Sequence, residues 1–408
     1  MEDRAFLFYS ARKSIYLYQR VRRSWIKWGG LLVKSKQVMI TALVLTLLLS
    51  LAPQKAGAEL NVSAQAAILI DAESKRVLFE KNAYEPLRIA SITKIMTAIV
   101  ALEHGDLKDV VTASKNACSV EGSSIYLRPG EKMTLEDLLY GLILRSGNDA
   151  AVAIAEHIGG SVEGFVFLMN QKAEELGMEQ TVFNNPHGLD THEEHYSTAY
   201  DMALLTAYAL QNETFATIAS TRKKTAPLEG EKWDRVWYNK NRLLSMYPYA
   251  DGVKTGYTQR AKRTLVSSAT KDGHRLIAVT LNAPDDWNDH INMFEYGFQH
   301  YTLVTLAGEG ELLKDERFER TDGHFKYLNG FRYPLREDEH LKKQIVIDPV
   351  FKQEELPAIP KPAGYVHYFL DNEEIGRVPV GFIPHEKPPS FWQRLRNLFD
   401  TLVGVVHG

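Results

Sequence analysis

Two hairpin signals set far apart in the chain constrain the fold most. Ala66–Asp71 (Ala-Ala-Ile-Leu-Ile-Asp) and Val77–Glu80 are short apolar runs joined by polar residues 72–76, the pattern of two strands and a turn. Thr264–Ala269 and Arg275–Leu281 repeat it around Lys271-Asp272-Gly273, a hairpin turn signal. Between the hairpins the period changes. Ile92, Ile95, Met96, Ile99 and Leu102 recur at helical spacing up to a stop at Gly105,. Residues 135–144, 149–158, 162–176 and 198–210 also read as helices, whereas 184–197, rich in Asn, His and Gly, reads as a loop,. Strands at both ends with helices between them predict the α+β class: an antiparallel sheet with helices packed against it.

The 408 residues exceed one ordinary domain,. After Leu306, β-type runs at 325–328, 344–347, 364–370 and 377–380 alternate with charged or proline-rich turns, which predicts a small all-β domain,. Pro384, Pro388 and Pro389 mark a linker. Beyond it Phe391, Leu395, Leu398, Phe399, Leu402 and Val406 form one stripe of a C-terminal amphipathic helix, suited to lie on a membrane surface,; packing on the β domain is the alternative. At the other end, Lys34 and Lys36, the apolar run Val38–Ala52 and Ala56-Gly57-Ala58 make a secretory signal, with Glu59 as the expected mature start,. A retained anchor is the alternative. The basic, aromatic residues 1 to 30 lengthen the signal's leading region past the usual, so a translation start near 31–33 is expected. The expected organisation is 1–58 extension and signal, 59–305 catalytic domain, 306–383 β domain and 384–408 linker and helix. A net charge of −3 with no basic face gives no reason to expect nucleic acid as a partner,. The single cysteine, Cys118, excludes an internal disulfide,.

Ser91-Ile-Thr-Lys94 places a hydroxyl and an amine three residues apart at a helix start, within mutual reach,. A serine needs a base to become a nucleophile. A lysine serves as that base when burial and a nearby cation lower its pKa. The pattern itself is weak: it recurs at Ser10, Ser24, Ser220 and Ser268. Only Ser91 opens a long amphipathic helix after a hairpin. Two further motifs follow in order. Ser146-Gly-Asn148 interrupts a helical pattern and offers a hydroxyl and an amide; Ser114-Lys-Asn116 is a second such triplet in a polar turn. Lys254-Thr255-Gly256 occurs once. A strand carrying it can pair its backbone with an extended peptide, and Gly256 leaves room for close approach. The three together form a joint signal that none carries alone.

With these motifs the chain resembles the low-molecular-weight penicillin-binding proteins of the serine D-Ala-D-Ala carboxypeptidase family. Tyr140-Gly-Leu-Ile-Leu-Arg-Ser-Gly-Asn-Asp149, Asn185-Pro-His-Gly-Leu189, Tyr196-Ser-Thr-Ala199 and Asp251-Gly-Val-Lys-Thr-Gly-Tyr257 carry the resemblance over most of 60–380. Gly122–Leu127 and Ala261–Val266 make it most similar to the sporulation-associated carboxypeptidase branch of spore-forming bacilli. The resemblance implies a penicillin-binding-protein/β-lactamase-like transpeptidase domain. Its implied substrate is peptidoglycan stem peptides ending in D-Ala-D-Ala, with β-lactams as covalent inhibitors. It implies an exported enzyme on the outer face of the cytoplasmic membrane or in the forespore intermembrane space, acting on the wall or spore cortex, with no cofactor or metal. It also implies roles. Ser91 is the nucleophile, Lys94 its base and Ser146 the proton relay. Asn148 contacts the peptide amide, Lys254 helps keep Lys94 neutral, and Thr255 holds the terminal carboxylate. The N–H groups of Ser91 and Tyr257 form the oxyanion hole. One departure stands out: where several relatives carry a carboxylate-binding arginine, this chain has Ala283-Pro-Asp-Asp-Trp-Asn-Asp289. Thr255, Lys254 or a basic residue such as Arg263 remain candidates.

Other readings make different demands. A β-lactamase or D,D-endopeptidase could use the same scaffold, but the Glu-x-x-Leu-Asn context that supplies a deacylating glutamate is absent between Asn148 and Lys254,. A metal hydrolase would draw on His187, Asp190, His192 and His195, whose spacing is not that of H-E-x-x-H. A non-catalytic wall-binding protein would be expected to show decayed motifs.

Overall fold

The computed structural model describes residues 60–191, 193–228, 230–318, 323–347 and 362–384, with Trp392, Arg394, Leu395 and Phe399. The expected signal, the translation start, His192 and most of the C-terminal stretch lie outside these residues. In chain order the strands are β1 (Ala66–Asp71), β2 (Val77–Lys81), β3 (Val110–Thr112), β4 (Lys132–Thr134), β5 (Lys223–Ala226), β6 (Arg235–Tyr238), β7 (Ala250–Thr258), β8 (Lys262–Lys271), β9 (His274–Leu281), β10 (Thr302–Ala307), β11 (Gly323–Tyr327), β12 (Phe331–Leu335), β13 (Leu341–Ile347), β14 (Gly364–Leu370) and β15 (Glu373–Pro384). The helices are α1 (Lys94–His104), α2 (Lys115–Ser119), α3 (Leu135–Leu144), α4 (Asn148–Gly159), α5 (Val162–Glu175), α6 (Ala199–Ala209), α7 (Glu213–Ser220), α8 (Leu243–Met246) and α9 (Asp286–His300).

The two distant hairpins meet in one five-stranded sheet of order β2-β1-β9-β8-β7, antiparallel throughout. Strand β1 explains why its sequence is a continuous apolar run. Ala66, Ile68 and Ile70 enter one core, and Ala67 and Leu69 enter a second on the opposite face, as period-two alternation requires. The first core takes Ile95, Met96 and Ile99 of α1 with apolar residues of α3 to α7. The second takes Met293 and Phe294 of α9. This interior strand is therefore apolar on both faces because both are covered.

Helix α1 lies inside the first core, and Lys94 to Ala101 are all buried. It does not begin at Ser91. A 3-10 turn, Ala90–Thr93, precedes it, and Ala90 takes a left-handed φ of 49°. Side-chain caps hold the following helices: Thr134 accepts from Asp137 N, Ser161 from Gly164 N and Thr198 from Asp201 N, each satisfying an otherwise orphaned donor. Strands β2 and β7 are the two edges of the sheet. Further along, β11-β15-β14-β13 form a four-stranded sheet and β10-β12 a two-stranded one, around a separate apolar cluster that includes Phe325, Tyr327, Val366, Tyr368 and Val380. No single helix among the described residues is long and apolar enough to cross a membrane.

Candidate active site

The loop 184–189 builds one wall of the site. Asn185 Oδ1 accepts from His187 N and Gly188 N, at 3.2 and 2.7 Å, and its amide donates to Leu189 O. This turn aims the His187 carbonyl at Lys94. Gly188, at φ 83°, lies so close that a β-carbon there would overlap the Ala90 carbonyl. Thr93 Oγ1 donates to that carbonyl at 2.7 Å and meets His195 Nε2 at 2.9 Å. His195 Nδ1 accepts from Asn184 N, so the Nε2–H tautomer donates to Thr93. The turn carrying Ser91 is thus pinned from below by a threonine and a histidine.

Lys94 is fully buried, and its Nζ lies 3.1 Å from Ser91 Oγ, 2.8 Å from Asn148 Oδ1 and 2.5 Å from His187 O. Asn148 Nδ2 donates to Glu121 O at 2.6 Å, which fixes the amide's orientation. Two of the three lysine partners are pure acceptors. A neutral amine has two hydrogens and one lone pair, so the hydrogens serve Asn148 and His187 and the lone pair faces the Ser91 hydroxyl. Electrostatics favours that neutral form: burial, then Lys254, then Lys240 push the Lys94 pKa well below the ordinary lysine value,.

Ser146 follows α3 and precedes α4. It is buried at a left-handed φ of 63°, and its hydroxyl makes no hydrogen bond among the described residues. The opposite wall is β7. Lys254 is buried, and its Nζ donates to Thr255 O at 2.8 Å. Burial first, and Lys240 second, bring its pKa down to about 7. A β-carbon at Gly256 would come 2.9 Å from Ser91 N and would overlap Thr264 Oγ1; Thr264 in turn donates to Ile89 O at 3.0 Å. The absent β-carbon lets β7 lie against the serine turn. Thr255 is half-buried and Tyr257 is exposed. The structure therefore brings Ser91, Lys94 and Asn148 into one hydrogen-bonded group, and sets Gly256 against the Ser91 turn.

The other serines go elsewhere. Ser268 is buried in β8 and donates to Asp251. Ser220 ends α7 and bonds back to Ala216 O. Ser114 caps α2. Ser10 and Ser24 lie outside the described residues. Arg263 donates to Asp286 at 2.7 and 3.1 Å, so its charge is already met. The His187 ring accepts from Leu189 N; with His195 occupied as above, neither ring is poised as a metal ligand. Sequence reasoning missed the His187 carbonyl, the Thr93–His195 support and Lys240. The Asn-Pro-His-Gly turn was visible, but nothing in it says which carbonyl points at which amine.

The family described as D-alanyl-D-alanine carboxypeptidase, peptidase S11, matches residues 52–285. The D-alanyl-D-alanine carboxypeptidase DacF of Bacillus subtilis is 43% identical over 287 residues, covering 66% of this chain and 73% of that protein. Penicillin binding protein 5 from Haemophilus influenzae superposes with a TM-score of 0.65 at 27% identity, covering 79% of this chain and 97% of that one. A mutant of the Streptomyces K15 DD-transpeptidase gives 0.57 at 33% identity, covering 59% of this chain and 100% of the other. The chain belongs to the peptidase S11 family of D-alanyl-D-alanine carboxypeptidases.

Proposed function

We propose that the protein is an exported serine carboxypeptidase that removes the terminal D-alanine from peptidoglycan stem pentapeptides through an acyl-enzyme on Ser91. One observation carries the mechanism: the buried Lys94 amine lies within hydrogen-bond distance of Ser91 Oγ, Asn148 Oδ1 and His187 O, so that in its neutral form the two carbonyl oxygens take its hydrogens and its lone pair is left for Ser91. The substrate adds along the free edge of β7, with its scissile carbonyl over Ser91 and beside Gly256. Ser91 Oγ attacks the penultimate D-Ala carbonyl carbon as Lys94 takes its proton. The N–H groups of Ser91 and Tyr257 receive the oxyanion, at roughly 3 kcal/mol per donor by analogy with other acyl-transfer sites. The C–N bond breaks, and Ser146 relays a proton to the leaving amine of D-alanine. Asn148 holds the peptide amide, Lys254 keeps Lys94 neutral, and Thr255 contributes to the carboxylate pocket. Water then attacks the ester, restoring Ser91 and releasing the shortened peptide.

β-Lactams acylate Ser91 and leave slowly, because the glutamate context that activates a deacylating water is missing,. The likeness to DacF supports a role in the walls of spore-forming cells. The exposed Trp392, Leu395 and Phe399 support a membrane-surface helix,. The test is intact mass after penicillin with peptide mapping, beside D-alanine release from a pentapeptide. An adduct on Ser91 and released D-alanine are expected; an adduct elsewhere, or rapid penicillin turnover, overturns the reading. Likeness to a DD-transpeptidase favours a second reading, transfer of the acyl group to an amine. Adding an amine acceptor and finding the amide product in excess over hydrolysis would establish it.

A further inference from the structure

Tyr126 is held in a conformation that tyrosine does not favour. Its φ is 62°, in the left-handed region that glycine and asparagine tolerate and a bulky residue does not,. The backbone there is fixed from several sides. Ser124 Oγ accepts from Tyr126 N at 2.7 Å, and Arg235 Nη2 donates to Tyr126 O at 3.0 Å. The residues on either side, Ile125 and Leu127, are buried, and both give their N–H to Asp149. Asp149 is the buried neighbour of Asn148 in the first turn of α4. This bracing leaves one side chain outside: the Tyr126 ring is 82% exposed, and neither ring nor hydroxyl has a partner among the described residues. Strain kept at the rim of a reactive group points to a use for the residue that bears it.

The β5–β6 hairpin continues this rim. Its inner face sends Trp237 into the first core, so by alternation Val236 and Tyr238 face water,. Trp233, in the loop before β6, is 65% exposed. The hairpin is bound to the Tyr126 loop by Arg235, which also pairs with Glu131, and by Arg128 with Glu231 at 3.0 Å. It is bound to the catalytic group as well. Arg145, next to Ser146, donates to Tyr238 O, and Lys240, just past β6, donates through its N–H to Leu144 O. Exposed rings thus flank the Asn148 wall of the cleft.

These rings do not merge into one apolar face. Arg128 and Glu231 each stand two residues from a ring, and the Lys223 ammonium lies 5.6 Å from the Tyr238 ring centre. An apolar partner would take those charged groups out of water at a cost. A sugar chain suits both parts, since a pyranose offers a C–H face to a ring and hydroxyls to a charged group. We propose that Tyr126 and Trp233, with Tyr238, form the surface on which the glycan strand of peptidoglycan lies while its stem peptide enters the cleft. This rests on the carboxypeptidase reading and names the form of its substrate: a stem still joined to a polymerised strand, in preference to free peptide. Reach is adequate. The four residues between the sugar and the bond that is cut span at most about 14 Å when extended. Tyr126 is linked to the Asn148 wall through a single hydrogen bond, from Ile125 N to Asp149.

The experiment uses the full chain and two readouts, in the wild type, Tyr126→Asn, Tyr126→Phe and Trp233→Ala. Asparagine tolerates the left-handed conformation, so Tyr126→Asn removes the ring without disturbing the turn. The first readout is kcat/KM for D-alanine release from glycan strands carrying pentapeptide, relative to free pentapeptide. The second is calorimetric binding of strands stripped of their peptides. The wild type should prefer the strands by about 10-fold or more, mainly through KM. Tyr126→Asn and Trp233→Ala should each lower that preference, and the affinity for stripped strands, about 3- to 10-fold; Tyr126→Phe should keep both. Equal kcat/KM on the two substrates in the wild type overturns the proposal. So does a preference that neither variant moves, or an equal loss on both substrates, which is a purely supporting role for residues 122–127. Binding to phosphatidylglycerol vesicles that the two variants weaken, with no binding to stripped strands, makes the rim a lipid contact and overturns it as well. If no D-alanine is released but stripped strands bind and the variants weaken that binding, the carboxypeptidase reading fails while the sugar surface stands.

Discussion

Lys94 and Lys254 are buried amines, and burying an amine costs stability while it is charged. In the unfolded chain both titrate near the ordinary lysine value of 10.5; in the fold Lys254 titrates at about 7. The unfolded state thus binds more protons between about pH 7 and 10.5, so stability contributed by this position rises with pH across that window. Lys254→Met should therefore raise the melting temperature at pH 7, with the gain shrinking towards pH 10, while the acylation rate falls. A variant less stable than the parent at pH 7 contradicts this assignment. Lys94 gives the kinetic counterpart: acylation should fall as pH drops through the lowered pKa of its amine, because the protonated form has no lone pair for Ser91,. Measured penicillin acylation rates between pH 5 and 9 check it, and a rate flat to pH 5 would require a different base. The closeness of Ser91 and Lys94 was legible from their spacing at a helix start. What makes the lysine a base was not, since its carbonyl and amide partners come from residues 187 and 148, distant in sequence.

Strand β7 shows the same division between elements. The Lys-Thr-Gly stretch read as a strand able to pair its backbone with an extended peptide. Only the sheet order shows that no strand covers it. The need for glycine at 256 is likewise spatial: Thr264 on β8 and the Ser91 turn crowd the missing β-carbon. Gly256→Ala should cost about 1–3 kcal/mol by overpacking and lower Ser91 acylation at least about 10-fold. Chemical denaturation beside penicillin labelling tests both, and full labelling at wild-type rate would show that the turn accommodates the methyl. Helix α9 was among the elements sequence reasoning overlooked. Attention to the absent arginine passed over Trp287, Ile291, Phe294 and Phe298, whose spacing is helical; the polar first turn, Asp286 to Asp289, hid it,. Helix α7, begun by an Asn212 cap, was missed for its brevity and its Thr and Ser content,.

At the scale of the whole molecule, the question is how the residues after 306 are held against the sheet. The apolar clusters of the two regions are separate, so the junction rests on polar and aromatic contacts. Arg76, in the β1–β2 turn, donates to Glu339 and to Pro334 O, and its guanidinium lies 5.2 Å from the ring centres of both Tyr301 and Tyr333. Composition could not reveal this, because neither Arg76 nor Glu339 belongs to a motif. The Glu339 side chain is only 6% exposed. Burial alone would raise its pKa, but the hydrogen bonds from Arg76 and the Arg336 N–H, together with the charges of both arginines, hold it below the ordinary value. The pair's contribution is present at neutral pH and is lost as pH falls through the lowered carboxyl pKa. Removing Arg76 leaves the buried Glu339 with Arg336 alone, through its N–H at 2.9 Å and its guanidinium at 3.4 Å, so the cost falls below the about 3–5 kcal/mol of a fully orphaned buried charge. Arg76→Ala should accordingly lower the melting temperature and expose the region after 306 to limited proteolysis. Penicillin labelling of Ser91 at 25 °C should stay within about 2-fold of wild type, as expected for a distant, independent site, because no member of this junction is among the residues hydrogen-bonded around Ser91. An unchanged melting temperature would show that the junction is held by something other than this arginine, and a matching loss of labelling would show that the β region props the catalytic group directly.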